Sequence, residues 1–149
     1  MREIEFRAKT LSEITNGNLK KDGTWVYGYY RDRIGCPTIS EFSFADADYI
    51  DYEVDVKTLG QYTGLKDKNG TKIFEGDIVN MLNITDYPMQ IKWNKKWARF
   101  IFYNLVDKTE MNLFTEQCEV IGNIYDNPEL IKEWLWKKKR LILIMKNKY

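Results

Sequence analysis

The sequence contains no histidine, so it offers no imidazole for a Ser-His or Cys-His nucleophile pair and no His metal ligand. Most hydrolase mechanisms lose their usual base, and the chain is read as non-enzymatic. Cysteine is scarce as well. Cys36 and Cys118 are the 2 present, too far apart for a Cys-x-x-Cys zinc or redox site and too few for a disulfide framework. Both are expected to be reduced and buried. No segment approaches the roughly 18 uninterrupted apolar residues of a membrane span. The opening MREIEFRAKT is charged and alternating, unlike the apolar run of a signal peptide. A cytoplasmic location with no membrane partner is therefore expected. Asn83-Ile84-Thr85 meets the glycosylation pattern, but such a tripeptide arises by chance and has no meaning in a cytosolic chain. Gly-x-Gly-x-x-Gly, Gly-Lys-Ser/Thr and Gly-x-Ser-x-Gly are all missing, so no cofactor is expected.

An excess of charge of one sign is lacking too: 23 Lys and Arg face 22 Asp and Glu, and the net +1 announces no nucleic-acid or membrane partner. Counting by segment uncovers an asymmetry. Residues 1–59 hold 8 basic and 11 acidic side chains, residues 60–126 hold 8 and 9, and residues 127–149 hold 7 and 2. An acidic front and a basic tail can meet within one molecule or between copies, although a solvated surface is the favoured reading because exposed ion pairs are weak. The 149 residues suffice for one domain or two small subdomains, and 15% aromatic content is more than a disordered chain carries.

Residues 1–59 read as an N-terminal β-rich subdomain. Ile4, Phe6 and Ala8 alternate with Glu3, Glu5 and Arg7. TWVYGYYRD follows the turn signal Asp22-Gly23 and contains Gly28, which marks a bulge or a close backbone approach. Asn16-Gly17 offers a tight turn between these runs. TISEFSF and YEVDVKTLG alternate similarly, so three to five strands are expected before residue 62.

Residues 60–126 read as a small closed β-barrel. Asp67-Lys68-Asn69-Gly70 joins GQYTGL to TKIFEGDIV, and Asn-Gly favours a type I′ hairpin because both central residues take positive φ. MQIKW, Asn94-Lys95-Lys96 and WARFIFY make a second hairpin, and CEVIGNIY closes the set. Residues 127–149 form a C-terminal helix and a basic, apolar tail. Asn127 can cap, Pro128 suits the first helical position and Glu129 complements the dipole. Lys138 interrupts the apolar stripe, so the helix either continues or gives way to a strand over LILIM. The fold class is mainly β (α+β).

Three constellations invite functional readings. Lys92, Lys95, Lys96 and Arg99 interleave with Trp93, Trp97, Phe100 and Tyr103, residue types that together stack bases and neutralise phosphates, although rings alternating along a hairpin more often form its own core. Asp46, Asp48, Asp51, Glu53 and Asp55 are the densest acids. Asp51, Glu53 and Asp55 on one strand face could hold a divalent cation, but a charged edge that resists aggregation is favoured, and no metal site is expected. LKDKNGTKIFEG fails the calcium-loop pattern: with Gly70 at position 6, Leu65 falls at position 1 and Gly76 at position 12. A bond from Asp77 to the turn backbone explains the acid after Gly76 without chemistry. Lys137 to Arg140 could contact phosphates, but a polar helix end favoured by the dipole is the stronger reading. Trp136 lies off the apolar stripe and, with Leu141, Ile142, Leu143 and Ile144, suggests a self-association surface.

MREIEFRAK, WVYGYY, GQYTGLKDKNGTKIFEGDIV and CEVIGNIYDNPELI together resemble the YopX family of phage and prophage proteins over most of residues 1–131. The resemblance implies a phage-encoded intracellular protein of the bacterial host, with an N-terminal β-rich part joined to an SH3-like barrel and members that self-assemble. It implies no established activity and transfers no catalytic residue. A homo-oligomeric accessory protein that binds a phage or host protein is the favoured expectation. A weak, sequence-tolerant nucleic-acid binder using the basic and aromatic barrel hairpin and the cationic tail is the alternative.

Overall fold

Runs rich in β-branched and aromatic residues build ten strands and one helix among the described residues, which in this computed structural model are 3–11, 22–45, 47–81, 84–85, 87–105, 107–114 and 117–146. The side chains of residues 33, 138, 139 and 141–146 lie outside that description. The strands are β1 (Phe6–Thr10), β2 (Trp25–Arg33), β3 (Cys36–Ser43), β4 (Asp48–Lys66), β5 (Lys72–Phe74), β6 (Asp77–Met81), β7 (Met89–Asn94), β8 (Arg99–Tyr103), β9 (Glu110–Asn112) and β10 (Cys118–Asn123), followed by helix α1 (Pro128–Lys146). The chain divides into two units, residues 1–64 and 65–149. The Asn16-Gly17 turn, Asp46 and the sequon asparagine Asn83 fall outside the described residues.

In the first unit β1, β2, β3 and β4 pair antiparallel in chain order, and β4 returns to pair with β1. Ring closure gives each of these four strands two partners, which reduces the edge hazard of an open sheet. Alternation sends Ala8, Val26, Ile39, Tyr52 and Val54 inward as a buried core. Arg7 departs from the alternating pattern: it is buried, with its guanidinium 4.8 Å from the Trp25 ring centre. Ile4 stays exposed ahead of the strand. Gly28 proves to be a close approach, since a Cβ there would overlap the Ser40 carbonyl oxygen. Between the Arg7↔Gly60 and Lys9↔Asp55 pairs the register shifts, because β4 has extra residues there that form a bulge. Thr58 pins this bulge: its Oγ1 accepts the Lys9 N–H at 2.8 Å and donates to the Asp55 carbonyl at 2.7 Å.

β4 ends at Lys66 and turns into β5, its hairpin partner. In the second unit the expected barrel strands form a five-stranded antiparallel sheet in the order β10-β6-β7-β8-β9, with β10 and β9 at its ends. Ile73, Val79, Met81, Met89, Ile91, Phe100, Phe102 and Cys118 form its buried core. β9 is not among the strands expected from the sequence, because Glu110-Met111-Asn112 is only three residues long, with Met111 its one apolar side chain. The helix runs through LILIM to Lys146, so no strand forms there. As a consequence Lys137 to Arg140 stand in mid-helix, where the dipole argument for a cationic end does not apply. The thiols also split: both are free, but Cys36 is exposed and only Cys118 is buried.

Candidate functional site

The basic and aromatic residues of the β7–β8 hairpin are sorted by the pleat. Trp93 opposes Phe100 and Ile91 opposes Phe102, which puts these four on the core face, with the Trp93 and Phe100 rings 5.0 Å apart. Lys92, opposite Ile101, and Arg99, opposite Asn94, point to the other face. The turn is closed by Asn94, whose Oδ1 accepts the N–H groups of Lys96 at 2.9 Å and Trp97 at 3.1 Å. Ala98 completes it at φ +48°. Trp97 is thereby held at the tip, 57% exposed.

An open groove of about 620 Å³ runs along this hairpin, lined by Lys92, Trp93, Asn94, Lys95, Lys96, Trp97, Ile101 and Glu110. Of the six residues named from sequence for nucleic-acid contact, Lys92, Trp93, Lys95, Lys96 and Trp97 line it and Arg99 flanks it. The cations sit over rings: Lys96 Nζ is 5.0 Å and the Arg99 guanidinium 5.8 Å from the Trp97 ring centre, and Lys92 Nζ is 4.6 Å from that of Tyr103. Glu110 puts a negative charge into the same groove and accepts from Asn94 Nδ2 at 2.6 Å. Trp93 is half-buried against the core, which leaves Trp97 as the lining ring free to stack.

The most distinctive segment, Gly60 to Val79, is committed to architecture. Asp67 is buried, and its carboxylate accepts three backbone N–H groups: Asn69 at 2.8 Å, Thr71 at 2.9 Å and Val120 at 3.0 Å. Burial opposes its charge, but the bonds from Val120, Thr71 and Asn69 outweigh that and hold the carboxyl below its ordinary value. The hairpin is not type I′. Gly70 takes φ +83° while Asn69 stays at negative φ, and Gly70 N–H donates to the Asp67 carbonyl at 3.0 Å. This is a type I turn followed by one left-handed residue, favoured because Asp67 can bridge the loop from its first position. Lys68 reaches Glu119 at 2.8 Å, and that ion pair lowers the Glu119 pKa. Burial, followed by the neighbouring Asp67 charge, pushes the Cys118 thiol up to about 11, so it is an inert core residue.

The next turn works in the same way. Asp77 Oδ2 accepts the Phe74 N–H at 2.7 Å, as anticipated, and Glu75 Oε1 accepts the Trp93 N–H at 3.2 Å. Gly76 lies at φ +87°, where a Cβ would press on Tyr125. Asn127 was expected to cap α1, but its Oδ1 accepts the Asn123 N–H at 3.3 Å instead. It packs against Gly122, where a Cβ would come within 2.5 Å of that oxygen. Among the acids proposed for a cation, Asp51 accepts from Ser40 Oγ at 2.5 Å and Asp55 accepts the Lys57 N–H at 3.0 Å. Among the described residues no three Asp, Glu or Cys side chains converge to hold a metal ion.

On α1, Leu130, Ile131, Trp134 and Leu135 are half-buried, with Trp134 5.1 Å from Tyr87, while Trp136 on the other side is 76% exposed. Leu141, Ile142, Leu143 and Ile144 are helical in backbone, and their side chains lie outside the described residues. Sequence reading overlooked an exposed aromatic face on the first unit. Tyr29, Phe42 and Tyr49 share it, with Phe42 to Tyr49 at 5.3 Å and Tyr29 to Tyr49 at 6.1 Å. The signal was available: β2 places large side chains at both parities, Val26 and Tyr30 as well as Tyr27 and Tyr29, so one set had to face outward.

Comparison with known proteins gives a family and a structural likeness. The family model described as YopX protein matches residues 6–132. No curated protein matches the chain. A solved structure, the crystal structure of protein EF1440 from Enterococcus faecalis, is similar at 24% sequence identity and a TM-score of 0.43, covering 88% of this chain and 99% of that one. No helix among the described residues is long and apolar enough to cross a membrane.

Proposed function

For a chain that belongs to the YopX family, we propose a role as a non-enzymatic accessory protein of a phage or prophage, acting in the host cytoplasm as a self-associating binding module. The observation behind this reading is the division of labour among its side chains. The polar residues of the family-like segments, Asp67, Glu75 and Asp77, are bonded to backbone N–H groups, whereas large rings stand in solvent, Phe44 and Trp136 among them. Polar groups committed to the backbone hold turns. Exposed aromatics beside charge are the composition of an interface core and its rim. Light scattering on the full chain tests the reading: a mass that is a multiple of the monomer's and persists at high salt supports it, and a monomer at every concentration counts against it.

A second reading rests on the β7–β8 groove. Trp97 offers one stacking surface with Lys92, Lys95, Lys96 and Arg99 around it, which suits weak, sequence-tolerant binding of single-stranded nucleic acid. Fluorescence titration with single-stranded and duplex DNA at two salt concentrations separates the two readings. Phosphate contacts weaken steeply as salt rises, whereas an apolar interface between copies survives it.

A further inference from the structure

The first unit carries an aromatic face that its own core does not use. β2, β3 and β4 send Val26, Ile39, Tyr52 and Val54 inward. The opposite parity puts Tyr29, Phe42 and Tyr49 on the outer face, joined by Phe44, 92% exposed and 5.1 Å from Phe42. Rings of this size standing in water form a patch of the kind that marks an interaction site. Its surroundings are acidic. Asp51 and exposed Glu53 follow Tyr49 on the same face of β4, while the nearby cation Arg31 is already engaged, 4.0 Å from Asp51 and 5.7 Å from the Tyr49 ring centre.

The complementary surface exists elsewhere in the chain. On α1 the exposed residues Lys132, Trp136 and Arg140 recur every four positions and so form one stripe, on the side opposite Leu130, Ile131, Trp134 and Leu135. From Lys132 to Arg140 the stripe spans about 12 Å at 1.5 Å per residue. Tyr49 to Glu53 spans about 13 Å of strand at roughly 3.3 Å per residue. The two segments are thus of similar length, and with the indole over the rings a long cationic side chain about 6 Å along the helix can reach the acids that follow Tyr49. The segments also differ in net charge in the required sense, with residues 1–59 acidic and residues 127–149 basic.

We propose that the outer face of β2, β3 and β4 receives the Lys132–Trp136–Arg140 stripe of α1 from a second copy of the chain. This deepens the self-association reading and rests on it. Trp136 packs on the Tyr29, Phe42 and Tyr49 rings, while one flanking cation lies against the rings and the other reaches along β4 to the Glu53 carboxylate. Two different surfaces meet, so the contact is head-to-tail, and the assembly is a closed ring or an open chain instead of a two-fold dimer.

Sedimentation and light scattering on full-length wild type, Trp136→Ala and Tyr49→Ser, with circular dichroism as a check of folding, test the proposal. Both variants are expected to keep the wild-type spectrum and to fall to monomers at concentrations where wild type is assembled. Mixed together, each retains the surface the other has lost, so the mixture is expected to form a heterodimer with one intact junction. A charge reversal adds a test independent of the rings: Arg140→Glu weakens assembly tenfold or more, and Glu53→Lys in the same chain recovers part of that loss. Assembled wild type with both ring variants unchanged overturns this interface and leaves self-association standing. Monomeric wild type overturns both. Ring variants that lose binding to a Lys-Trp-Arg peptide while their assembly is intact also overturn it, because the face would then serve a partner other than a second copy.

Discussion

Asp67 shows how a single acid shapes this protein. Its three backbone N–H donors tie the turn after β4 to itself and to β10, so Asp67→Asn is expected to cost about 1.5–3 kcal/mol, the range for hydrogen bonds to a charged group. The pH dependence has a definite sign. A folded-state pKa held below the unfolded value stabilises the fold above the unfolded carboxylate value of about 3.9, and this contribution is lost as pH falls through the folded value. In urea unfolding, the gap between wild type and Asp67→Asn is therefore full at neutral pH and closes in acid. An equal gap at pH 7 and pH 2 would contradict the assignment. A second residue-scale prediction concerns Ile34, a β-branched, fully exposed residue at φ +54° in the two-residue turn between β2 and β3. Left-handed backbone costs such a residue about 1–2 kcal/mol, whereas Asn and Gly tolerate it. Ile34→Asn is expected to raise the melting temperature by a few degrees, since no packing is lost.

At the scale of elements, two contrasts are informative. Gly28 in β2 lies against the Ser40 carbonyl of β3, so Gly28→Ala forces that pair apart, and several kcal/mol of stability should go with it. The equivalent change at Gly23, with open space around it, carries only the strain of its φ of +76°. Comparing the two by denaturation separates steric exclusion from backbone preference. On α1, Trp134 packs on Tyr87 while Trp136 projects into solvent. Trp134→Ala is expected to lower stability by about 1–3 kcal/mol, and Trp136→Ala by less than about 0.5 kcal/mol for the isolated copy, as read by thermal melts in dilute solution. The identity of the strands was legible because alternation and turn residues are local signals. β9 was not, since a strand of three residues is too short for a pattern and is defined by the neighbour it pairs with. The turn at Asp67 to Gly70 was located correctly and typed wrongly, because Asn-Gly permits a type I′ turn but the Asp67 carboxylate selects the longer loop by bonding to Asn69 and Thr71.

Across the whole molecule, near-neutral charge conceals an acidic first segment and a basic last one. Long-range attraction between such regions is screened within about 10 Å at 0.1 M salt, so in the proposed contact between copies charge would set orientation and apolar contact would supply persistence. If the β7–β8 groove binds DNA, affinity should drop by at least tenfold between 50 and 200 mM salt, while assembly mass over the same range changes little. An affinity indifferent to salt would remove phosphate contact as its basis. The groove itself was half legible. Its basic and aromatic residues were picked out from the sequence, but Trp93 and Phe100 turned inward, because alternation about a hairpin assigns each ring to one face and only the register reveals which.

The sequence by itself determined the mainly β character, the start of the helix at Pro128, the absence of imidazole chemistry and the family-like turns, all of which depend on residue type and short-range spacing. Only the tertiary structure decided that the first four strands close on themselves, that Cys36 is exposed, that Lys137 to Arg140 sit in mid-helix and that Tyr29, Phe42 and Tyr49 gather on one outer face. These are matters of which distant segments become neighbours. Period-two patterning marks two faces of a strand but cannot tell which will be covered, since that depends on partners far away in the chain.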